Sequence, residues 1–482
     1  MISVLLTGST GYIGRRLAEK LALDENVRLR LFVRNARKLH DLPGKRLEIS
    51  EGSTFDRDSL RKALAGIDVA YYLVHSMGAK GDFPELERTS AINFRDACIE
   101  AGVKRIIYLG GLGIKQTASK HLRSRIETGE LLSAKPDRIQ TLWFRAGVII
   151  GSGSASFEII RNLVQKLPVL LTPRWVLTKT EPISVSDVLE YLHQALTLDA
   201  PGNLVVDIGS EAMSFKDMLL RAAKAMGLRR RLVRIPLFSP RLSSYWLILL
   251  TPVPRRIAQA LVDGLKSETI IQNENVQKYF PSILPASYEK AIEQALGEIE
   301  KNQVLSRWCD SSAQEACDLH GQDRVSEAIF VDRRRVDFGN MAPETVFDEF
   351  QSIGGRSGWL AFNWLWRLRG FMDKIAGGPG LSRGRRDPHE LRVGDSLDFW
   401  KVLDLKKNKH LLLVSQMKVP GKAWLEFNID GRALVETAYF LPKGLLGRLY
   451  WHSMKLAHAF IFKNLIRQII ERAETRGRKI SP

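Results

Sequence analysis

Glycines at 8, 11 and 14, in the stretch Thr7-Gly8-Ser9-Thr10-Gly11-Tyr12-Ile13-Gly14, are the residues whose spacing most clearly serves chemistry. Without side chains at these positions, backbone N–H groups can approach a pyrophosphate closely. Where such a turn opens a helix, the unpaired N–H groups of the first turn and the helix dipole both favour an anion. The flanking elements fit that use. Ile2 to Leu6 is an apolar run that reads as a buried strand, and Ile13, Leu17 and Leu21 recur every four residues, as on one face of a helix. Strand, glycine turn and helix in this order predict a nucleotide-binding loop from Thr7 to Gly14.

The same alternation continues. Arg28–Val33, Arg46–Ser50, Val69–Val74, Arg105–Leu109 and Gln140–Arg145 read as further strands, separated by helical patterns such as Asp58–Ala65, Leu86–Ala101 and Lys120–Leu132. This predicts an α/β domain with a doubly wound parallel sheet, its ligand crevice at the carboxyl ends of the strands. At the end of the second strand a carboxylate would hold a ribose 2′-hydroxyl. Arg34 stands there instead, and its guanidinium suits a 2′-phosphate, so NADP is expected over NAD, with Arg37 and Lys38 close by. His75 and Ser76 come after the fourth strand and are expected to face the crevice. Tyr71 and Tyr72, within that strand, read as packed residues.

Composition narrows the class. Hydrophobic residues at 45% and charged residues at 26% describe an ordinary globular chain. Cys98, Cys309 and Cys317 have neither disulfide nor zinc spacing. With a strand beginning at residue 2 there is no space for a secretion signal, so a cytoplasmic protein is expected. Residues 351–482 hold 24 Lys and Arg against 11 Asp and Glu, so the excess positive charge lies mainly in the last quarter. No nucleic-acid motif accompanies it; such a surface could meet anionic lipid, as in a peripheral membrane contact, or an acidic partner, and a solvated basic face is the expected reading.

On these residues the first 300 positions resemble the extended or atypical short-chain dehydrogenase/reductase superfamily. Thr7 to Gly14 matches its TGxxGxxG loop. Asn93 matches the asparagine of its fourth helix, Arg145 with Gly147 to Gly151 the segment after the sixth strand, and Glu181 to Val188 its P-I-x-V-x-D-V element. The resemblance implies a Rossmann domain using a nicotinamide dinucleotide. The catalytic half departs from the pattern: Gly110-Gly111 stand where the family has serine, and His121 and Arg125 stand at the Tyr-x-x-x-Lys positions. A histidine can still move a proton near neutral pH, but arginine cannot give one up. Leu204 to Ile235, with a helix at Phe215–Ala225, reads as a small lobe over the substrate. Ser243 to Pro252, flanked by Arg241 and Arg255-Arg256, reads as a buried or interface helix too short to cross a bilayer.

Residues 301–327 read as a linker, and the chain beyond it changes character. Lys422–Ile429 alternates strictly, Asp430-Gly431 is a hairpin turn, and Arg432–Phe440 returns; Pro420-Gly421 separates this strand from Leu411–Lys418. In Trp451–Ala473 an apolar stripe of Phe462, Leu465, Ile466, Ile469, Ile470 and Ala473 predicts a helix that covers the sheet. His452 and His458, six apart, do not share a helix face and are given no metal role. This arrangement resembles the helix-grip fold of the START and polyketide-cyclase-like superfamily, and residues 328–475 a domain of unknown function found after atypical reductase modules in bacteria. Trp359 and its neighbours read mainly as core, and Arg383 to Arg386 as a solvated basic loop or an anion site. The function expected is an NADP(H)-dependent oxidoreductase of a hydrophobic small molecule; the alternative is a non-catalytic NADPH-binding sensor, assembly factor or peripheral membrane protein.

Overall fold

The computed structural model describes residues 1–36, 39, 46–74, 83–172, 174–234, 263–264, 267–300, 305–306, 328, 330–355, 357–376, 378–383, 385–387 and 390–480. The chain divides into two compact units, one built from the elements up to Glu300 and the other from those beginning at Phe330.

The first unit holds one parallel sheet of seven strands: β1 (Ile2–Thr7), β2 (Val27–Val33), β3 (Leu47–Glu51), β4 (Val69–Tyr72), β5 (Arg105–Gly111), β6 (Gln140–Ala146) and β7 (Leu204–Ile208). Their order is β7-β6-β5-β4-β1-β2-β3. Helices α1 (Tyr12–Ala22), α2 (Arg57–Leu64), α3 (Phe83–Glu100) and α4 (Lys120–Leu132) connect successive strands, and α5 (Ala155–Lys166), α6 (Val185–Gln194) and α7 (Phe215–Ala225) come after them. Both faces of the sheet are covered, which is why its strands read as unbroken apolar runs. Val4 and Leu6 of β1 join a core with Leu17 and Leu21 of α1, whereas Leu5 joins the opposite core with Leu60, Phe94 and Leu122. The strand order reverses between β1 and β4, and such a reversal opens a crevice at the carboxyl ends of the strands.

One expectation is corrected here. Leu204–Ile208 does not belong to a separate lobe but forms β7, the edge of the main sheet, in register with Leu142–Ala146. The physical reason is on the strand: Val206 and Ile208 are fully buried, and buried Asp207 takes the Arg145 guanidinium of β6 in a two-pronged ion pair at 2.6 and 2.8 Å. Arg231–Arg234, in contrast, pairs with Val169–Thr172 away from the main sheet. The Ser243–Pro252 stretch and nearly all of the predicted linker lie outside the described residues.

The second unit is a six-stranded antiparallel sheet: β8 (Phe330–Asp337), β9 (Ser396–Leu397), β10 (Trp400–Lys406), β11 (His410–Ser415), β12 (Gly421–Asp430) and β13 (Ala433–Pro442), in the order β8-β13-β12-β11-β10-β9. The predicted meander is present, with its turn one residue later. Asp430 still pairs with Ala433, so Gly431 and Arg432 form the two-residue loop, and Gly431 supplies the positive φ of +60° that its first position demands. The long helix Gly444–Ile480 packs on the sheet, and the shorter helix Pro343–Gln351 joins it there, with Phe350 stacked on Phe427 at 5.6 Å. Every member of the predicted stripe from Phe462 to Ala473 is buried.

The tryptophan-rich segment splits in two. Trp359 stacks on Trp366 at 4.6 Å and lies against Phe399 and Trp400 in the core, but Trp364 is exposed. The basic loop is turned inward: Arg385 donates to the carbonyls of Gln351, Ile353 and Asp387, and Arg386 pairs with buried Asp395 at 3.2 Å. These two arginines hold backbone in place and are not a solvated patch.

Candidate dinucleotide site

The site grows from the end of β1. The Thr7 hydroxyl donates to the Tyr71 carbonyl (2.8 Å) and accepts from the Leu73 N–H (3.2 Å), tying together the loops that leave β1 and β4. Gly8 has φ +74°, and a β-carbon there would lie 2.4 Å from the Leu73 oxygen. A β-carbon on Gly14 would lie 2.1 Å from the Gly8 oxygen, so the first turn of α1 folds directly onto the loop. Gly11 is the N-cap of α1, without a capping side chain, and the first turn carries no acidic residue. That leaves the helix's opening N–H groups to an outside acceptor.

Side chains of the loop take different directions. Ser9 is fully buried, and its hydroxyl has no hydrogen-bond partner among the described residues. Ile13 packs against the core. Tyr12 lies under the Arg16 guanidinium, 5.2 Å from ring centre to Cζ, and burial pushes its phenol well up. Thr10 is half-buried. A glycine cradle with no room for β-carbons, an uncapped helix start and a buried unsatisfied hydroxyl fit the pyrophosphate of a dinucleotide.

Arg34 comes directly after β2 on the same edge of the sheet and is exposed. Beside it the Ala36 N–H donates to Glu51 at the end of β3 (2.6 Å). Arg37, Lys38, His75 and Ser76 lie outside the described residues. Asn93 donates to the Thr54 carbonyl at 3.3 Å, and Thr54 belongs to a buried hydroxyl chain with Ser90 and Tyr72.

The structure brings His121 and Arg125 together on α4, one turn apart and half-buried. Ser119 caps this helix by accepting from the Leu122 N–H. Arg125 donates from Nη2 to the carbonyl of Leu109 at 2.6 Å, while its Nε is buried without a hydrogen-bond partner among the described residues. This fixes the guanidinium beside the carboxyl end of β5. Gly110 is held by packing, since a β-carbon would meet the Trp143 indole nitrogen at 2.5 Å. The nearby tyrosines are engaged: Tyr71 donates to the Leu192 carbonyl, Tyr108 to the Arg125 carbonyl, and Tyr72 shares a hydrogen bond with Ser90. Burial raises all three phenols, that of Tyr108 to about 12.

Sequence reasoning missed a second set of groups. Arg16, 4% exposed, donates to the Ser152 carbonyl and hydroxyl and to Glu298 at 3.1 Å, and Ser152 also donates to Glu298. The only sequence signal is an arginine one turn after Tyr12, on the flank of the apolar stripe. Farther along, the P-I-x-V-x-D-V segment anchors the chain beyond the sheet. The Glu181 carboxylate accepts from Ile271 N–H, Asp187 accepts from Ala286 N–H, and burial raises the Glu181 carboxyl. A β-carbon on Gly147 would meet the Glu181 carbonyl at 1.9 Å, which explains a glycine directly after β6.

Comparison with known proteins agrees with this geometry. Residues 8–140 match a family described as NAD(P)H-binding, and residues 324–465 match one described as a protein of unknown function (DUF2867). Over 116 residues the chain is 30% identical to sterol demethylase protein B of Methylococcus capsulatus, a match that spans 23% of this chain and only 35% of that relative's length. It is 21% identical over 273 residues to (4-alkanoyl-5-oxo-2,5-dihydrofuran-3-yl)methyl phosphate reductase of Streptomyces griseus subsp. griseus, covering 55% of this chain and 86% of that one. The triphenylmethane reductase of a Citrobacter species has the same fold at 20% identity, with a TM-score of 0.51, over 61% of this chain and 100% of that one. The first unit thus has a Rossmann-like fold with a segment similar to an NAD(P)H-binding family, and the second is similar to the domain of unknown function.

Proposed function

We propose that this protein is an NADP(H)-dependent reductase of a hydrophobic small molecule. The observation that carries the reading is the glycine cradle at the β1–β4 reversal with Arg34, and no acid, at the end of β2. The backbone N–H groups from Tyr12 to Gly14 hold the pyrophosphate, and Arg34 pairs with the 2′-phosphate, which favours NADP over NAD. A bound dinucleotide supplies the hydride. His121 delivers a proton to the oxygen of the reduced carbonyl, a task within reach of an imidazole near neutral pH. Arg125, anchored at the Leu109 carbonyl beside the end of β5, steadies developing negative charge.

The second unit supports an apolar substrate. Its antiparallel sheet and long covering helix resemble a START-like grip, a fold suited to holding a lipid-like molecule. Two curated relatives are named for sterol demethylation and for reduction of an alkanoyl-bearing dihydrofuran, which is consistent with such a substrate. We place the protein in the cytoplasm on the same reading.

A non-catalytic NADPH sensor or assembly factor is the second reading, favoured by one observation: the serine position is Gly110, filled from across by Trp143. Fluorescence titration with NADPH and NADH, in the wild type and in Arg34→Ala, tests the cofactor site. Selective loss of NADPH affinity by roughly ten- to a hundredfold is expected, the worth of one to two charge-assisted hydrogen bonds. NADPH oxidation is then measured with apolar ketones, in the wild type and in His121→Ala. Binding without turnover favours the sensor, and binding of neither nucleotide removes both readings.

A further inference from the structure

We propose that the second unit docks on anionic membrane surfaces through an apolar face formed by two of its helices. This goes beyond the reductase reading and does not depend on it.

The helix Asn363–Ile375 buries one side in the core, at Trp366, Gly370 and Asp373. An ordinary surface helix is polar on the other side. Here the outward side carries Trp364, Leu368, Phe371, Met372 and Ile375, all exposed, and their spacing of four, three, one and three residues keeps them on a single stripe. The first part of the helix Gly444–Ile480 does the same, exposing Leu445, Leu446, Leu449 and Phe460.

The two stripes are neighbours. The Phe362 ring lies 5.5 Å from that of Phe460, and Arg369 donates to the Tyr450 hydroxyl at 3.1 Å with its guanidinium over the same ring. Residue 362 therefore meets 460 while 369 meets 450, so the two helices touch at both places with their chain directions opposed. Their outward residues include a tryptophan, two phenylalanines and four leucines. Apolar patches of this kind on a folded surface mark an interaction site.

Charge identifies the partner. Arg367, Lys443, Arg448, Lys455 and Lys463 are exposed on or beside the two helices. From Gly444 to Ile470 the chain contains no Asp or Glu, and the only acid of the shorter helix, Asp373, is buried and accepts N–H groups from Gly380 and Lys418. An apolar stripe bordered by cations, with no exposed carboxylate, complements a surface of hydrocarbon beneath anionic headgroups. None of the described helices is long and apolar enough to cross a membrane, so the contact is one of lying in the interface.

The test uses the full-length protein and flotation with vesicles of phosphatidylcholine alone or mixed with phosphatidylglycerol. Binding is expected to the mixed vesicles, to be weaker on phosphatidylcholine alone and to fall with added salt. Arg448→Ala should weaken it about fivefold, and Phe371→Glu with Leu446→Glu by at least about tenfold. Those positions are exposed, and an unchanged thermal melt verifies that the variants fold. Absence of vesicle binding by the wild type overturns the proposal, as does binding that ignores the three substitutions. Sedimentation showing a dimer that Phe371→Glu dissolves, together with no vesicle binding, assigns the face to a second copy of the chain instead.

Discussion

The carbonyl oxygen of Leu73 stands 2.4 Å from where a β-carbon on Gly8 would be, across the point at which the first sheet reverses its strand order. Because Gly8 also has φ +74°, Gly8→Ala meets a backbone clash and a strained conformation together. The expected outcome is a loss of about 1–3 kcal/mol of stability and of dinucleotide binding, measured by urea unfolding and NADPH titration of the same preparation.

Asp207 is fully buried and holds Arg145 through two hydrogen bonds, and it also accepts from the Gln272 N–H at 2.8 Å. Asp207→Asn leaves a guanidinium facing an amide at the sheet edge. Breaking a buried pair on one side costs about 3–5 kcal/mol. The midpoint of chemical unfolding of the first unit should fall accordingly, and a double variant with Arg145→Met should recover part of the loss.

His458 sits between Trp451 and Phe462, with ring centroids 5.1 Å away on either side, and desolvation lowers it to about 4. Asp332 pulls in the opposite direction, and Arg369 and Arg334 add to the lowering. The unfolded chain binds this proton near pH 6.5 and the folded chain near 4, so stability is whole above 6.5 and is lost as pH falls through that window. His458→Phe keeps the stack and should flatten the stability profile between pH 6.5 and 4, as read from thermal melts.

Glu436 gives the opposite slope. Its carboxyl is buried, neither oxygen has a hydrogen-bond partner among the described residues, and burial raises it well above the usual carboxylate range. Arg334 opposes the shift and Asp332 adds to it. The folded state keeps a proton that the unfolded state releases, so this stability is full below the unfolded value of about 4 and is lost as pH rises. Glu436→Gln should stabilise the protein at about pH 8, where the wild type must keep a proton against the solution or bury a charge, and change little at about pH 4.

Local pattern accounts for what could be read from the sequence. Leu17 and Leu21 are fully buried as their spacing requires, and Phe462 to Ala473 line the covered side of the last helix. Features that depend on distant partners could not be read. Arg16 is ordinary on its own helix and becomes buried only because Glu298 and Ser152 arrive from far along the chain. Gly110 looks like a lost serine until Trp143 is seen filling its place. Leu204–Ile208 reads from its pattern as part of a lobe, and its place at the sheet edge depends on a distant partner, Arg145. Trp364 misleads for the opposite reason: its residue type suggests core, but the helix phase that buries Trp366 turns it outward.

The pairing of β8 with β13 also sets the order of events during synthesis. Phe330–Asp337 leaves the ribosome about a hundred residues ahead of Ala433–Pro442, the strand it pairs with. Throughout that delay its backbone is an open template for other nascent chains. Its side chains alternate, with Arg333 and Arg335 on the face left exposed in the finished sheet, and charge on a waiting edge discourages wrong partners. A polypeptide truncated before residue 433 would lack the partner of its first strand, so this sheet closes only once residues 433–442 have been made.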